Sequence, residues 1–176
     1  MYGFNLEDTV NQLKQKSSIS ENEKKQLTES VELMFFAYRD FVADPDLLLN
    51  ERNLGRAHHR ALHFIGRNPG MSVTELLDIL GITKQSLSRV LRELLTEGYV
   101  TQTISKNDRR KRLLMLSDEG RDFLDNLIAP QHQRIKKAIM ETDNETLAAW
   151  HNFMLHLLNS DNRKSVSDRF DEDYET

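Results

Sequence analysis

The sequence contains no cysteine among its 176 residues, which excludes a disulfide framework, a thiolate metal site and a thiol redox switch. Glycine is scarce, with 7 residues, and the chain has no glycine-rich phosphate loop, nucleophile elbow or complete set of metal ligands. An enzyme is therefore not expected. The chain also lacks a basic leader and an apolar run long enough to span a membrane, so we expect a cytoplasmic protein with no membrane partner.

Positive charge is concentrated in one region of an otherwise acidic chain. The formal net charge is −4, but residues 56–121 hold 12 basic and 7 acidic side chains, a net of +5, so the remaining 12 basic and 21 acidic residues sum to −9. A basic face on an acidic remainder is typical of a protein that docks on phosphates. At 176 residues the chain is long enough for one domain with a core and short for two, so a single domain over 1–176 is expected.

Two short helices joined by a tight turn lie at the centre of the basic region. Ser72 and Glu75 have the spacing of a capping box that opens the first helix, and Gly81 stands where a left-handed residue ends it. Thr83 caps the second helix. Its apolar residues recur at the spacing of one buried stripe: Leu87, Val90, Leu91, Leu94 and Leu95.

The opposite face of the second helix carries cations and hydrogen-bonding groups long enough to reach base edges and phosphates. With the two capping residues, the candidate DNA-binding residues here are Ser72, Thr83, Lys84, Gln85, Ser86, Ser88, Arg89 and Arg92. The alternative is an ordinary solvated face of an amphipathic helix. The basic hairpin that follows directly favours a recognition helix.

Two runs rich in Val, Thr, Ile and Leu, residues 99–104 and 112–116, bracket a polar loop and predict a β-hairpin. The loop and the residue after it supply further candidates for contact with phosphates or a minor groove: Lys106, Asp108, Arg109, Arg110, Lys111 and Arg112. A solvated hairpin tip is the alternative for these cations. Asp108 can orient the guanidinium of Arg110 by a charge-assisted hydrogen bond, and a solvated turn aspartate is the alternative. Helix, turn, helix and basic hairpin in this order predict a winged helix-turn-helix.

The wing residues carry a family resemblance. Asp108-x-Arg110 followed by Leu116-Ser117-x-x-Gly120 is similar to the wing signature of the MarR family of bacterial transcription regulators, in which an acidic residue orients an arginine at the wing tip. The resemblance covers residues 27–159, although Ser117 stands where threonine is commoner. It implies a mostly α fold with a small β wing, in which dimerisation helices flank the winged helix-turn-helix. It also implies a homodimer that binds double-stranded DNA at a pseudo-palindromic operator.

Long helices are expected on both sides of residues 56–116. Ser20 and Glu23 open a helix that should run to about residue 42, where Asp44-Pro45 stops it. Its apolar residues cover more than one face, which predicts burial between neighbouring elements. A connector then leads from residue 47 to 55, and a further helix is expected over 56–67.

After the wing, Ser117 caps a long helix that Pro130 should kink, and Asp143 begins a last helix. The apolar residues of that last helix lie nearly all round its circumference: Leu147, Trp150, Phe153, Met154, Leu155, Leu157 and Leu158. Such a helix needs a partner, so we expect dimerisation through 20–55 and 117–160, with a core helix of the monomer as the alternative. Residues 161–176 are acidic with few apolar side chains and are predicted to be disordered. Residues 1–19 fit either a short helix or a frayed segment.

The resemblance also implies a repressor that is released by a small aromatic or anionic effector, bound between the dimerisation helices and the DNA-binding part. Candidate lining residues are Phe35, Tyr38, His63 and Phe64, with an ordinary core role as the alternative. His59 and His63 are spaced to face one metal ion, so a metal-responsive regulator is an alternative function, but they lack enough partners, and no metal or other cofactor is expected. The rival function is a winged helix that binds another protein, which would more often show an apolar patch at the wing.

Overall fold

The computed structural model describes residues 19–105 and 107–172. In chain order their elements are α1 (Glu21–Asn50), α2 (Arg56–Arg67), β1 (Met71–Ser72), α3 (Val73–Leu80), α4 (Lys84–Thr96), β2 (Val100–Ile104), β3 (Arg112–Leu116), α5 (Asp118–Met140), α6 (Asn144–Leu157) and α7 (Ser160–Glu172). Contacts along the chain divide it between Ala43 and Asp44 into two units, which we describe separately. No helix among these residues is both long enough and apolar enough to cross a membrane.

The described residues of the N-terminal unit form most of α1. The predicted helix start is confirmed, because Ser20 Oγ accepts a hydrogen bond from the backbone N–H of Glu23 at 3.2 Å. The helix is exposed along this unit, with Leu33 at 68% and Phe35 at 69% exposure. The predicted burial of its apolar faces is therefore wrong for the single chain. The remaining prediction for residues 1–18 lies outside the described part.

The prediction that Asp44-Pro45 ends α1 was wrong, since the helix continues to Asn50 with Pro45 inside it. A proline in a helix interior removes one backbone donor and crowds the preceding turn, at a cost of about 3 kcal/mol. Here Pro45 and Leu49 are both buried, and burial of apolar surface offsets that penalty. The helix ends instead where Asn53 adopts a positive φ of 56° and Leu54 donates to the carbonyl of Leu49 at 2.9 Å.

The predicted wing is confirmed in the C-terminal unit and is joined by a strand that the sequence did not predict. β2 and β3 pair antiparallel from Val100↔Leu116 to Ile104↔Arg112. β1 adds a third strand, with Met71 opposite Leu114, so that β3 lies in the centre of the sheet. A two-residue strand carries too short a pattern to be recognised in sequence.

The helix-turn-helix has the predicted boundaries. Gly81 ends α3 with a φ of 61°, and Thr83 Oγ1 accepts from the backbone N–H of Ser86 at 3.1 Å to cap α4. The predicted stripe of α4 faces the core, where it meets residues from α2, α3, β3 and α5. The largest fully buried side chains of that core include Leu62, Ile65, Leu76, Leu87, Leu94, Leu114 and Leu127.

A tight corner connects the wing to α5. Ser117 Oγ accepts from the N–H of Gly120 at 2.9 Å and donates to the carbonyl of Gly98 at 2.6 Å, which confirms its predicted capping role. The ring of Tyr99 stacks on Phe123 at 4.8 Å. Gly120 packs directly under the carbonyl of Tyr99, where no side chain fits. This corner holds the C-terminal end of α4 against the start of α5.

The prediction of disorder for residues 161–176 was wrong over 161–172, because Ser160–Glu172 form α7. The rest of that prediction, residues 173–176, lies outside the described residues. Asp143 caps α6 as predicted, with Oδ1 accepting from Thr146 N at 2.8 Å. At the other end of α6, Arg163 donates to the carbonyls of Leu155 at 2.9 Å, His156 at 3.0 Å and Leu158 at 3.3 Å. One arginine thus satisfies carbonyls that a helix end leaves open, and it fixes α7 without a large apolar face.

Candidate DNA interface

The outer face of α4 presents the predicted reading residues to solvent. Lys84, Gln85, Ser88, Arg89 and Arg92 are all exposed. The side chain of Ser86 is also exposed, but its hydroxyl lies 2.9 Å from that of Thr83 and belongs to the helix cap. The face therefore combines cations with a free amide and a hydroxyl, the groups that hydrogen-bond to base edges.

A groove of about 720 Å³ separates α4 from the wing and brings together residues from both. The predicted residues that line it are Ser72, Lys84, Ser88, Arg92, Arg110 and Lys111. Arg112, which belongs to the predicted cluster of wing cations, also lines the groove, and the lining residues that were not predicted as sites include Thr74, Thr96 and Gln102. Thr74 lies in the first turn of α3, where free backbone N–H groups attract phosphate, and that position could have identified it. Gln102 gives no such signal, because a polar residue on an edge strand is ordinary.

The wing tip is folded around Asp108. Asp108 Oδ1 accepts from the backbone N–H of Arg110 at 3.0 Å and lies 3.5 Å from Arg110 Nε, while its carbonyl accepts from Lys111 N at 2.9 Å. The side chain of Arg110 is 93% exposed, so this ion pair contributes little to stability. Asp108 therefore fixes the turn and keeps the guanidinium close. Arg109 and Lys111 are exposed beside it, and Lys106 lies outside the described residues.

Ser72 and Glu75 form the predicted capping box at the start of α3. Glu75 N donates to Ser72 Oγ at 3.2 Å, and a carboxylate oxygen of Glu75 accepts from Ser72 N at 2.6 Å. The backbone and side-chain hydrogen bonds with Ser72 lower the pKa of Glu75, and the positive charges of Lys111 and Arg169 lower it further. Ser72 is buried and its hydroxyl is already engaged. It lines the groove as a structural residue of the helix start.

A carboxylate on α4 was not predicted as part of the site. Glu93 Oε1 accepts from Arg89 Nε at 2.9 Å, and its Oε2 lies 2.7 Å from His58 Nε2. The hydrogen bonds with Arg89 and His58 lower the pKa of Glu93. The four-residue spacing of Arg89 and Glu93 is a sequence signal for their ion pair. The role of His58, 35 residues away, had no such signal.

Comparison with known proteins identifies the family. A sequence profile described as the MarR family matches residues 52–111. Over 125 residues the chain is 45% identical to the HTH-type transcriptional regulator PetP of Rhodobacter capsulatus, and the alignment covers 71% of this chain and 75% of that protein. The chain belongs to the MarR family. As a member it is a DNA-binding transcription regulator and not an enzyme.

Other proteins resemble this MarR-family chain over parts of its length. It is 30% identical over 83 residues to the transcriptional repressor MprA of Escherichia coli, covering 46% of this chain and 47% of that one. Its fold matches a crystal structure of a MarR mutant from E. coli complexed with operator DNA, with a TM-score of 0.58 and 18% identity over 76% of this chain and 96% of that chain. The mostly helical winged fold predicted from the sequence is therefore confirmed.

The candidate effector and metal residues of this MarR-family protein are not among the residues that line the groove. Phe35 and Tyr38 are exposed in the N-terminal unit. In the C-terminal unit, His63 and Phe64 are half-buried and their rings meet edge to face at 5.2 Å. Burial lowers the pKa of His59 and of His63, and the neighbouring His63 adds to the shift at His59. Within residues 19–105 and 107–172, no group of three or more histidine or carboxylate side chains is placed to hold a metal ion.

Proposed function

We propose that this MarR-family regulator is a repressor that binds a pseudo-palindromic operator as a homodimer, through two copies of α4 in successive major grooves. The observation that carries the proposal is the groove between α4 and the wing. It gathers cations from two elements around one concave surface, with Lys84 and Arg92 on one wall and Arg110 on the other. A surface of this composition fits the phosphates of a duplex better than it fits an apolar peptide.

Within this interface the two elements have different tasks. We assign sequence preference to the exposed residues Lys84, Gln85, Ser88 and Arg89, because the major groove presents a distinct donor and acceptor pattern for each base pair. We assign affinity to the wing residues Arg109, Arg110 and Lys111, with Lys106 beside them, because the minor groove pattern is nearly degenerate. Ser72, Thr83 and Ser86 support the helix starts that face the sugar-phosphate backbone, and Asp108 keeps Arg110 at the tip.

Exposed apolar surface supports the homodimer. In the N-terminal unit, Phe35 at 69% and Leu33 at 68% exposure lie on α1. In the C-terminal unit, Trp150 at 46%, Phe153 at 55% and Leu157 at 49% exposure lie on α6. Large side chains that remain in contact with water in a single chain are stabilised when a second copy covers them. The dimerisation segments are accordingly 20–55 and 117–160.

Release by a small effector is the remaining part of the proposal. Its candidate contacts are the aromatic rings of Phe35, Tyr38 and Phe64 and the imidazole of His63. The suitable probe is benzoate, a small aromatic anion, titrated into the protein bound to fluorescent operator DNA. We expect a saturable loss of DNA binding, and salt of equal ionic strength is the control. If benzoate had no effect beyond that of salt, an aromatic anion would be the wrong class of effector.

A DNA titration tests the proposed function as a whole. The first duplex is one that the protein selects from the DNA upstream of its own gene, and the second is a scrambled sequence of equal length. The affinity for each is measured at several salt concentrations. We expect preferential binding to the selected duplex and affinity that falls steeply with salt. A protein-binding winged helix would select no sequence and bind both duplexes equally weakly.

A further inference from the structure

A chain of three polar contacts connects the recognition helix to the start of α2. Arg89 Nε donates to Glu93 Oε1 at 2.9 Å. Glu93 Oε2 lies 2.7 Å from His58 Nε2. The other ring nitrogen of His58, Nδ1, accepts from the backbone N–H of Gly55 at 3.0 Å. The side chain of Arg89, on the proposed DNA-binding face of α4, is therefore held by Glu93, and Glu93 is held in turn by His58.

The contact with Gly55 determines the tautomer of His58. A ring nitrogen that accepts a hydrogen bond carries no proton, so the proton of the neutral imidazole lies on Nε2. Nε2 then donates to Glu93. His58 is only 8% exposed, and its ring is held from both ends. Both carboxylate oxygens of Glu93 are consequently held by hydrogen bonds, Oε1 by Arg89 and Oε2 by His58.

Arg89 is the exposed end of this chain, with its side chain at 79% exposure against 33% for Glu93. The bond to Glu93 uses Nε and leaves Nη1 and Nη2 at the tip of the guanidinium. Paired nitrogens of an arginine donate to O6 and N7 of guanine in the major groove. An arginine that is already held at Nε loses less side-chain freedom when it contacts a base.

We propose that Glu93, held by His58, positions Arg89 to read a guanine in the major groove. Glu93 is then a positioning residue that determines specificity without touching DNA. The inference rests on the proposed function, in which α4 reads base edges. The negative charge of Glu93 should by itself lower the affinity for DNA of any sequence, since a carboxylate near the DNA-binding face repels phosphates. Its two roles can therefore be separated by measuring discrimination and affinity independently.

The experiment replaces each guanine of the selected operator in turn by 7-deazaguanine, which lacks the N7 acceptor. Fluorescence anisotropy gives the Kd of the full-length protein for each duplex and for a scrambled one. We expect one guanine in each half-site whose replacement weakens wild-type binding by about tenfold. The same replacement should leave the Arg89→Ala variant unaffected, which identifies the guanine that Arg89 reads.

Glu93→Gln is the decisive variant, and Glu97→Gln is its matched control. Glu97 is the exposed C-cap residue of the same helix, so one change removes a negative charge from α4 and the other removes one from its C-cap. We expect both variants to bind the scrambled duplex at least as tightly as the wild type. Discrimination at the identified guanine should fall roughly threefold to tenfold in Glu93→Gln, the range of one supporting hydrogen bond, and stay unchanged in Glu97→Gln.

His58 provides the rescue test. His58→Gln keeps an amide N–H that can donate to Glu93, whereas His58→Leu removes the donor at similar volume. We expect guanine discrimination to be retained in His58→Gln and reduced in His58→Leu, with thermal unfolding used to show that both variants are folded. Equal discrimination in these two variants would contradict the role of His58.

The outcomes distinguish the inference from the function on which it rests. If Arg89→Ala loses discrimination at the identified guanine while Glu93→Gln keeps it, the positioning role of Glu93 is overturned and α4 remains the reader. If Arg89→Ala discriminates every guanine as the wild type does, Arg89 is not a base reader and the inference fails with that assignment.

Discussion

At the residue scale, Arg110 and Gln85 test the division of labour between wing and helix. Arg110 is exposed at the wing tip and Gln85 on α4. Replacing Arg110 by alanine should weaken operator and scrambled DNA together and reduce the slope of log affinity against log salt by about one per subunit. Replacing Gln85 by alanine should instead weaken the operator preferentially, by roughly 1–3 kcal/mol if a bidentate base contact is lost. The assignment would be wrong if Arg110→Ala lost specificity and kept the full salt slope.

Gly120 is a second residue with a specific consequence. A Cβ atom at this position would collide with the backbone carbonyl of Tyr99, which is not the flexible end of a side chain. Gly120→Ala should therefore lower the free energy of unfolding by about 1–3 kcal/mol, the range for overpacked sites. Gly55→Ala is the control, because nothing lies within 4 Å of a Cβ there. Chemical denaturation of both variants measures the difference, and equal losses would contradict the steric account.

Sequence reasoning identified single residues where local chemistry determines their role. Ser72, Thr83 and Ser117 were predicted as helix caps, and each accepts the expected backbone hydrogen bond. Capping depends on residues three apart, so the signal is contained in the sequence. The partnership of His58 with Glu93 joins different helices. Such a contact depends on how α2 packs on α4, which no local pattern specifies.

At the scale of elements, the start of α3 links stability to pH. The folded pKa of Glu75 lies below its ordinary value of 4.5, so the carboxylate contributes stability above that value and loses it as pH falls through the lowered pKa. Between neutral pH and strongly acidic solution, the wild type should therefore lose more stability than Glu75→Gln. The comparison is made by denaturation at a series of pH values. Parallel curves for the two proteins would show that the carboxylate is not engaged at the helix start.

Two predictions that were wrong, the end of α1 at Asp44-Pro45 and disorder after residue 160, have one physical explanation. Asp44-Pro45 is a strong local stop signal, and the segment after residue 160 has too few apolar side chains to predict order. In both places, contacts with other parts of the structure determine whether a helix forms. Burial of Pro45 and Leu49 maintains α1 beyond the proline, and Arg163 fixes α7 by binding the carbonyls at the end of α6. Propensity was outweighed by tertiary contacts that a linear pattern does not contain.

At the scale of the whole molecule, the proposed homodimer predicts the behaviour of a charged substitution on α6. Phe153 is 55% exposed in the single chain, so glutamate there should be tolerated by a monomer but should oppose apolar association. Phe153→Glu should shift the protein to monomers and weaken operator binding. Asn152→Glu adds the same charge at the neighbouring polar, exposed position and should remain dimeric. Analytical ultracentrifugation reports the mass, and a dimeric Phe153→Glu protein would exclude this part of α6 from the interface.

The central position of β3 has a mechanical consequence. β3 pairs with β1 at the start of the helix-turn-helix and with β2 in the wing, and Gly70 N also donates to the carbonyl of Leu114 at 2.8 Å. Backbone hydrogen bonds therefore fix the distance between the helix-turn-helix and Arg110 at the wing tip. A duplex whose grooves do not match that distance has to be bent or twisted before both α4 and the wing can bind. The free-energy cost of this deformation depends on the stiffness of the intervening base steps. We therefore expect this protein to select its operators in part by the deformability of base pairs that no side chain contacts.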